Sequence, residues 1–156
     1  MRISQGVEWG LHCCLTLAWA DNPEPLPTAK LAARFDLPSA YLNKRLQALM
    51  RAGILTSTSG SRGGFRLARS PVDITLWDVV AAIEGEETAF RCTEIRQRAG
   101  ASPDECRHPC SVALAMYTAE AAWREALSKQ TLADLMNASP EAAPTRARRW
   151  FELNRR

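Results

Sequence analysis

The stretch from Thr28 to Arg69 leaves this chain few options. A short segment with helical apolar spacing, Ala29 to Phe35, is followed after the tight "DLPS" turn by a longer one, Ala40 to Ala52. Then comes "ILTSTSGSRGGFRLAR", two short strand-like runs about a Gly-rich tip, Gly60 to Gly64. Thr28 and Ser39 stand where helix caps are needed, and Gly53 stands where the second helix must stop. A short helix, a turn and a longer helix make the helix-turn-helix pattern. The hairpin reads as a wing attached to it. "ITLWDVVAAIEG" adds a helix from a Thr75 cap to Gly85, with Leu76, Val79, Val80 and Ile83 facing inward. The predicted class is mainly α with a small β-hairpin wing: a winged helix-turn-helix domain followed by a long helix.

Before this unit, Ser4 is placed to cap a helix running to Ala20, with Val7, Leu11, Cys14, Leu15 and Ala18 on one stripe and Glu8, His12 and Trp19 on the next. Arg2, an apolar run and the Ala18-Trp19-Ala20 end imitate a secretory signal, but Glu8 and His12 interrupt the run. No later segment approaches the apolar length of about 20 residues that crosses a bilayer, so a soluble cytoplasmic protein without membrane association is expected. "DNPEPLP" ends the first helix with three prolines. Beyond Gly85, residues 86–109 show no sustained period, and Cys110 to Ser128 reads as a long amphipathic helix, extended by "TLADLMNA". The expected organisation is a DNA-binding domain over 1–85, a cysteine-bearing loop over 86–109, a helical region over 110–138, and a flexible basic tail over 139–156.

In a helix-turn-helix, the N-terminal residues of the second helix meet base edges while flanking groups hold phosphates. Here those positions are Ser39, Tyr41, Asn43 and Lys44, with Gln47 and Arg51 farther along. Asn43 suits adenine, Lys44 suits guanine or a phosphate, and Tyr41 positions the backbone. Arg62, at the tip of a Gly-rich hairpin with nothing to pack against, suits the minor groove or its phosphates. Leu42, Leu46, Leu49 and Met50 read as core. The chain has 20 basic against 17 acidic residues, a net charge of +3. So mild an excess permits nucleic acid without demanding it.

Five cysteines, an odd number in a domain of ordinary size, argue against a paired disulfide framework and for metal-binding or redox-active thiols in a reducing compartment. Cys92 is separated by thirteen residues from Cys106, and Cys106 by three from Cys110. Cys110 follows Pro109 at a helix start, where the dipole favours a thiolate, and Cys106 is near enough to share one metal with it. Glu8 and His12, at i and i+4, project from one side of a helix and can share a second. The same two residues also read as a charge paired with an arginine and a hydrogen-bonded core histidine. Cys13 and Cys14 read as small buried hydrophobes and His108 as an exposed loop residue. There is no phosphate-binding Gly loop, nucleophile–base pair or hydrolytic zinc motif, so an enzyme is not expected.

The start "MRIS", "SAYLNKRLQALMRAGIL", "GSRGGFRLAR", "ITLWDVVAAIEG", the cysteine loop and "TLADL" together resemble the winged-helix iron-sulfur transcription regulators that include IscR, NsrR and RsrR, over Met1 to about Asn137. "VEWGLHCC" with "CTEIRQR" is most similar to RsrR-type members. The resemblance implies a homodimeric repressor on a pseudo-palindromic double-stranded DNA operator, with the long helices crossing. It also implies a [2Fe-2S] cluster across the interface, held by Glu8 and His12 of one subunit and two cysteines of the other. Cys106 and Cys110 are favoured and Cys92 is the third candidate, because this loop departs from the shorter, more even spacings commoner in the family. Trp9, beside Glu8, is the candidate switch residue. The competing expectation is a thiol-based or zinc-bound winged-helix regulator, or a protein-interaction module, in which Glu8 and His12 stay idle.

Overall fold

A computed structural model describes residues 3–20, 24–60 and 63–154. Its elements are α1 (Gln5–Ala20), α2 (Thr28–Arg34), α3 (Ser39–Arg51), β1 (Leu55–Thr58), β2 (Gly64–Leu67), α4 (Leu76–Glu84), α5 (Ser111–Ser128), α6 (Leu132–Ala138) and α7 (Ala142–Asn154). Single 3-10 turns cover Pro71–Asp73 and Ile95–Ala99. The mainly helical class with one antiparallel hairpin is thus borne out. Among the described residues no helix is long and apolar enough to cross a membrane.

The turn between α2 and α3 closes as a helix stop. Asp36 takes a left-handed conformation (φ 51°), and the Leu37 N–H donates to the Ala32 carbonyl at 2.9 Å. A short polar residue tolerates that conformation where Gly would otherwise stand. The same device ends α3, now with Gly53 at φ 70° and the Ile54 N–H on the Leu49 carbonyl at 3.0 Å. Leu42, Leu46 and Leu49 are fully buried and meet Leu26, Leu31, Ile54, Ile74 and Val79 in one core. Their burial forces the opposite side of α3 outward.

In the hairpin, Leu55 faces Leu67 and Ser57 faces Phe65. Leu26 adds a third rung, exchanging two 2.9 Å hydrogen bonds with Phe65. Gly64 is required at this crossing, because a Cβ there would lie 2.3 Å from the Leu26 carbonyl. Thr75 and Thr131 each form a capping box with an aspartate three residues on, Asp78 and Asp134. The two caps pair with each other, so the starts of α4 and α6 are joined by a short antiparallel bridge.

Three expected caps are corrected. The Ser4 hydroxyl and N–H go to the Glu84 carboxylate of α4 instead of capping α1. Thr28 lies inside α2 and donates to Asn43 at 3.2 Å, and α3 begins after Pro38 with no side-chain cap from Ser39. The flexible tail is corrected too, since residues 142–154 form α7. Ala143, Ala147 and Phe151 are buried at helical spacing, with α7 packed on α1. Pro144 falls in the first turn, where a missing N–H breaks no bond.

Candidate metal centre and nucleic-acid interface

Ser39, Tyr41, Asn43 and Lys44 are all exposed on the outer side of α3, Tyr41 at 66%. Asn43 is oriented by the Thr28 hydroxyl, a link between the two helices of the motif that sequence reasoning did not anticipate. Arg62 lies outside the described residues. Arg51, at the end of α3, and Arg66, on β2, are also exposed.

Glu8 and His12 are exposed on α1 and, with Trp9, Phe35 and Leu37, line a hollow of about 230 Å³. The His12 ring sits 5.8 Å from that of Phe35. Among the described residues neither the Glu8 carboxylate nor the His12 imidazole has a hydrogen bond or ion pair, so neither a core histidine nor a paired carboxylate is what the fold makes of them. Trp9 is half-buried and packs on the core. Cys13 and Cys14 are fully buried. Burial pushes the Cys13 thiol up to about 12, with a smaller opposing effect from Arg34, and pushes Cys14 up as well. Thiols so placed stay protonated and inert.

The cysteine loop is organised by a residue that sequence reasoning passed over. Arg96 grips both oxygens of Glu94, at 2.5 and 2.7 Å, and donates to the carbonyls of Glu105 at 3.2 Å and His108 at 2.8 Å. Glu94 itself is held in a left-handed conformation, φ 48°. Its hydrogen bond to Arg96 keeps its carboxyl below the usual carboxylate range, and Arg96 is raised in turn. Cys106 and Cys110 are half-buried, and both lie within electrostatic range of the Arg96 guanidinium. Partial burial, and then the Glu94 charge, push the Cys106 thiol upward. Cys110 caps α5, its Sγ accepting the Ala113 N–H at 3.4 Å. Cys92 is exposed. The only advance signal of this clamp was the Glu94–Arg96 pair inside "CTEIRQR", which no helical or strand period would have singled out.

The start of the loop is fixed to α5. Glu120 accepts the Ala89 N–H at 3.2 Å and pairs with Arg124 at 2.6 Å, and Arg124 reaches the Glu86 carbonyl at 2.9 Å. Arg124 also covers the Trp77 ring, which meets Trp123 edge-on. Yet α5 buries only Ala113, while Val112, Leu114, Met116 and Tyr117 are exposed. Among the described residues no three His, Cys, Asp or Glu side chains are close enough to hold one metal ion. Glu8 and His12 share the hollow on α1, and Cys106 and Cys110 share the loop held by Arg96.

The family model described as Rrf2, iron-dependent transcriptional regulator, matches residues 3–138. Protein rrf2 of Nitratidesulfovibrio vulgaris is 31% identical over 143 residues, 87% of each chain. The transcriptional regulator NsrR of Geobacillus kaustophilus is 28% identical over 138 residues, 87% of this chain and 90% of that one. Among solved structures, CymR, the global cysteine regulator of B. subtilis, superposes with a TM-score of 0.66 at 25% identity, covering 90% of this chain and 99% of that one.

Proposed function

Because the chain belongs to the Rrf2 family of DNA-binding transcriptional regulators, we propose that it is a homodimeric repressor of the RsrR type whose operator affinity is set by a [2Fe-2S] cluster. Glu8 and His12 of one subunit and Cys106 and Cys110 of the other would hold it, with Cys92 outside the set. The observation that supports this reading is a pair of incomplete ligand sets in one chain: a carboxylate and imidazole beside a hollow, unpaired among the described residues, and two half-buried thiols on a clamped loop. The donor set fits the group, since thiolates and imidazole suit iron-sulfur chemistry and carboxylate accepts iron. When bound, the cluster supplies a one-electron couple, at a potential raised by the ligands that are not thiolates.

The chain's own residues supply the transmission. Glu8 and His12 anchor one side of α1, and Gly6 and Gly10 occupy the opposite side. A Cβ at Gly6 would lie 2.5 Å from Arg45 Nε of α3, and one at Gly10 2.6 Å from Ile83 Cδ1 of α4. At these points the α1 backbone packs directly on side chains of α3 and α4, so a pull on α1 reaches the recognition helix through the Arg45 and Ile83 contacts. Trp9, between the ligand side and the core, repacks as α1 moves. In the dimer, that motion changes the spacing of two recognition helices that must meet half-sites about one or two helical turns apart.

Anaerobic purification, a visible spectrum, iron and sulfide counts, and gel shifts at two redox poises test the reading. The expected protein is coloured, carries equal iron and sulfide, and changes operator affinity about tenfold or more between poises. A colourless, iron-free protein whose affinity follows dithiothreitol alone would mark a thiol switch instead.

A further inference from the structure

A second and larger cleft, about 630 Å³, opens between the C-terminal end of α1, strand β2, α6 and α7. It shares no residue with the hollow beside Glu8 and His12. Its floor is apolar, made by Leu17, Leu67, Met136 and Phe151. Among the described residues its lining carries three guanidinium groups, Arg66, Arg69 and Arg148, against one carboxylate, Glu24, which is itself engaged.

The hydrogen-bonding state of these groups is one-sided. Arg69 is committed to the Asp73 carbonyl at 3.1 Å and to Asp78 at 3.7 Å. Arg148 uses its Nε on the Trp19 carbonyl at 3.2 Å. Among the described residues Arg66 has no hydrogen bond or ion pair. Trp19 also lines the cleft, with its Nε1–H shielded from solvent. Among the described residues, the lining side chains with hydrogen-bonding capacity to spare are the guanidinium donors of Arg66 and Arg148. The complement is a ligand with an acceptor-rich anionic head and an apolar body, of the size that clefts in this range accept.

We propose that this cleft binds a small organic carboxylate, with its head on Arg66 and Arg148 and its apolar body on Leu17, Leu67, Met136 and Phe151. Two lining residues, Arg148 and Phe151, come from α7, beyond residue 138 where the family model ends. Arg66 lies on β2 opposite Thr56, so an occupant touches the strand that carries the wing.

The test uses the full chain without iron or DNA, so its outcome is independent of the cluster reading. In protein with 15N-labelled indoles, the Trp19 resonance is identified by its loss in Trp19→Phe. Sodium octanoate is the probe and octanamide its uncharged counterpart. The expected result is a saturable shift of the Trp19 indole resonance, a reporter in the cleft lining, with octanoate, and about tenfold weaker binding of octanamide. Arg66→Gln and Arg148→Gln, each with unchanged far-UV circular dichroism, weaken octanoate binding about tenfold. An unmoved Trp19 resonance, equal binding of octanamide, or unchanged octanoate affinity in the Arg66→Gln/Arg148→Gln double variant would overturn the proposal.

Discussion

The DNA-binding half and the cysteine-loop half of this molecule solve the burial problem in opposite ways. Around α1 to α4 the chain closes a core within one subunit, with Leu26, Leu31, Leu42, Leu46, Leu49 and Ile54 at 0% exposure and Leu132 of α6 and Phe151 of α7 completing it. From Glu86 to Ser128 it is held by polar clips, the Arg96 clamp and the Glu120–Arg124 pair, while α5 leaves Val112 at 62% and Leu114 at 54% exposure. The first half is finished as a single chain. The second leaves an apolar face of α5 uncovered and carries the three cysteines outside the core. In the proposed regulator that division has a use, because the reading head stays rigid while the cluster-binding part has fewer buried contacts to lose.

The contrast can be broken in several places. Leu49→Ala, in the finished core, should cost about 3 kcal/mol in a urea melt, because the surrounding leucines cannot collapse into the cavity. The double change Val112→Glu/Met116→Glu should leave that melt nearly untouched, yet yield a monomer by sedimentation and weaken operator binding about a hundredfold through lost bivalency. If the two variants behaved alike, the division between halves would be wrong. Arg96→Gln should act on the loop alone, raising amide exchange over residues 94–109 severalfold without moving the global transition.

The smallest effect at neutral pH concerns the thiols themselves. Iodoacetamide at pH 8 should label Cys92, Cys106 and Cys110 of the iron-free protein and spare Cys13 and Cys14. The folded Cys13 thiol is raised from 9.0 to about 12, so its buried neutral form favours folding fully below pH 9. That contribution is lost as the pH rises from 9 to about 12, and unfolding should become easier across this alkaline window.

Much of the first half was legible because burial there leaves a period. The leucines of α3, the stop at Gly53 and the Thr75 cap all carry local signals, and the fold follows them. Caps were less legible where tertiary partners intervene. Ser4 finds Glu84, eighty residues away, and no local rule anticipates that bond. In α7 the arginines and Pro144 hide the Ala143, Ala147 and Phe151 stripe, which matters only because α1 is there to receive it. The candidate ligands were legible as residue types. Their arrangement was not, because Arg96 orders the loop through backbone carbonyls, which have no sequence signature.

In the proposed dimer a cluster is shared between subunits. A Glu8→Ala/His12→Ala chain and a Cys106→Ala/Cys110→Ala chain, each purified anaerobically and reconstituted with iron and sulfide, should each lack the visible absorption of the parent. Mixed, partly unfolded and refolded together before reconstitution, they form heterodimers with one intact site, and part of the parent's absorption should return with its iron and sulfide. If either chain alone shows the parent spectrum, or the mixed dimers remain colourless, the subunits do not share a cluster held by these four residues.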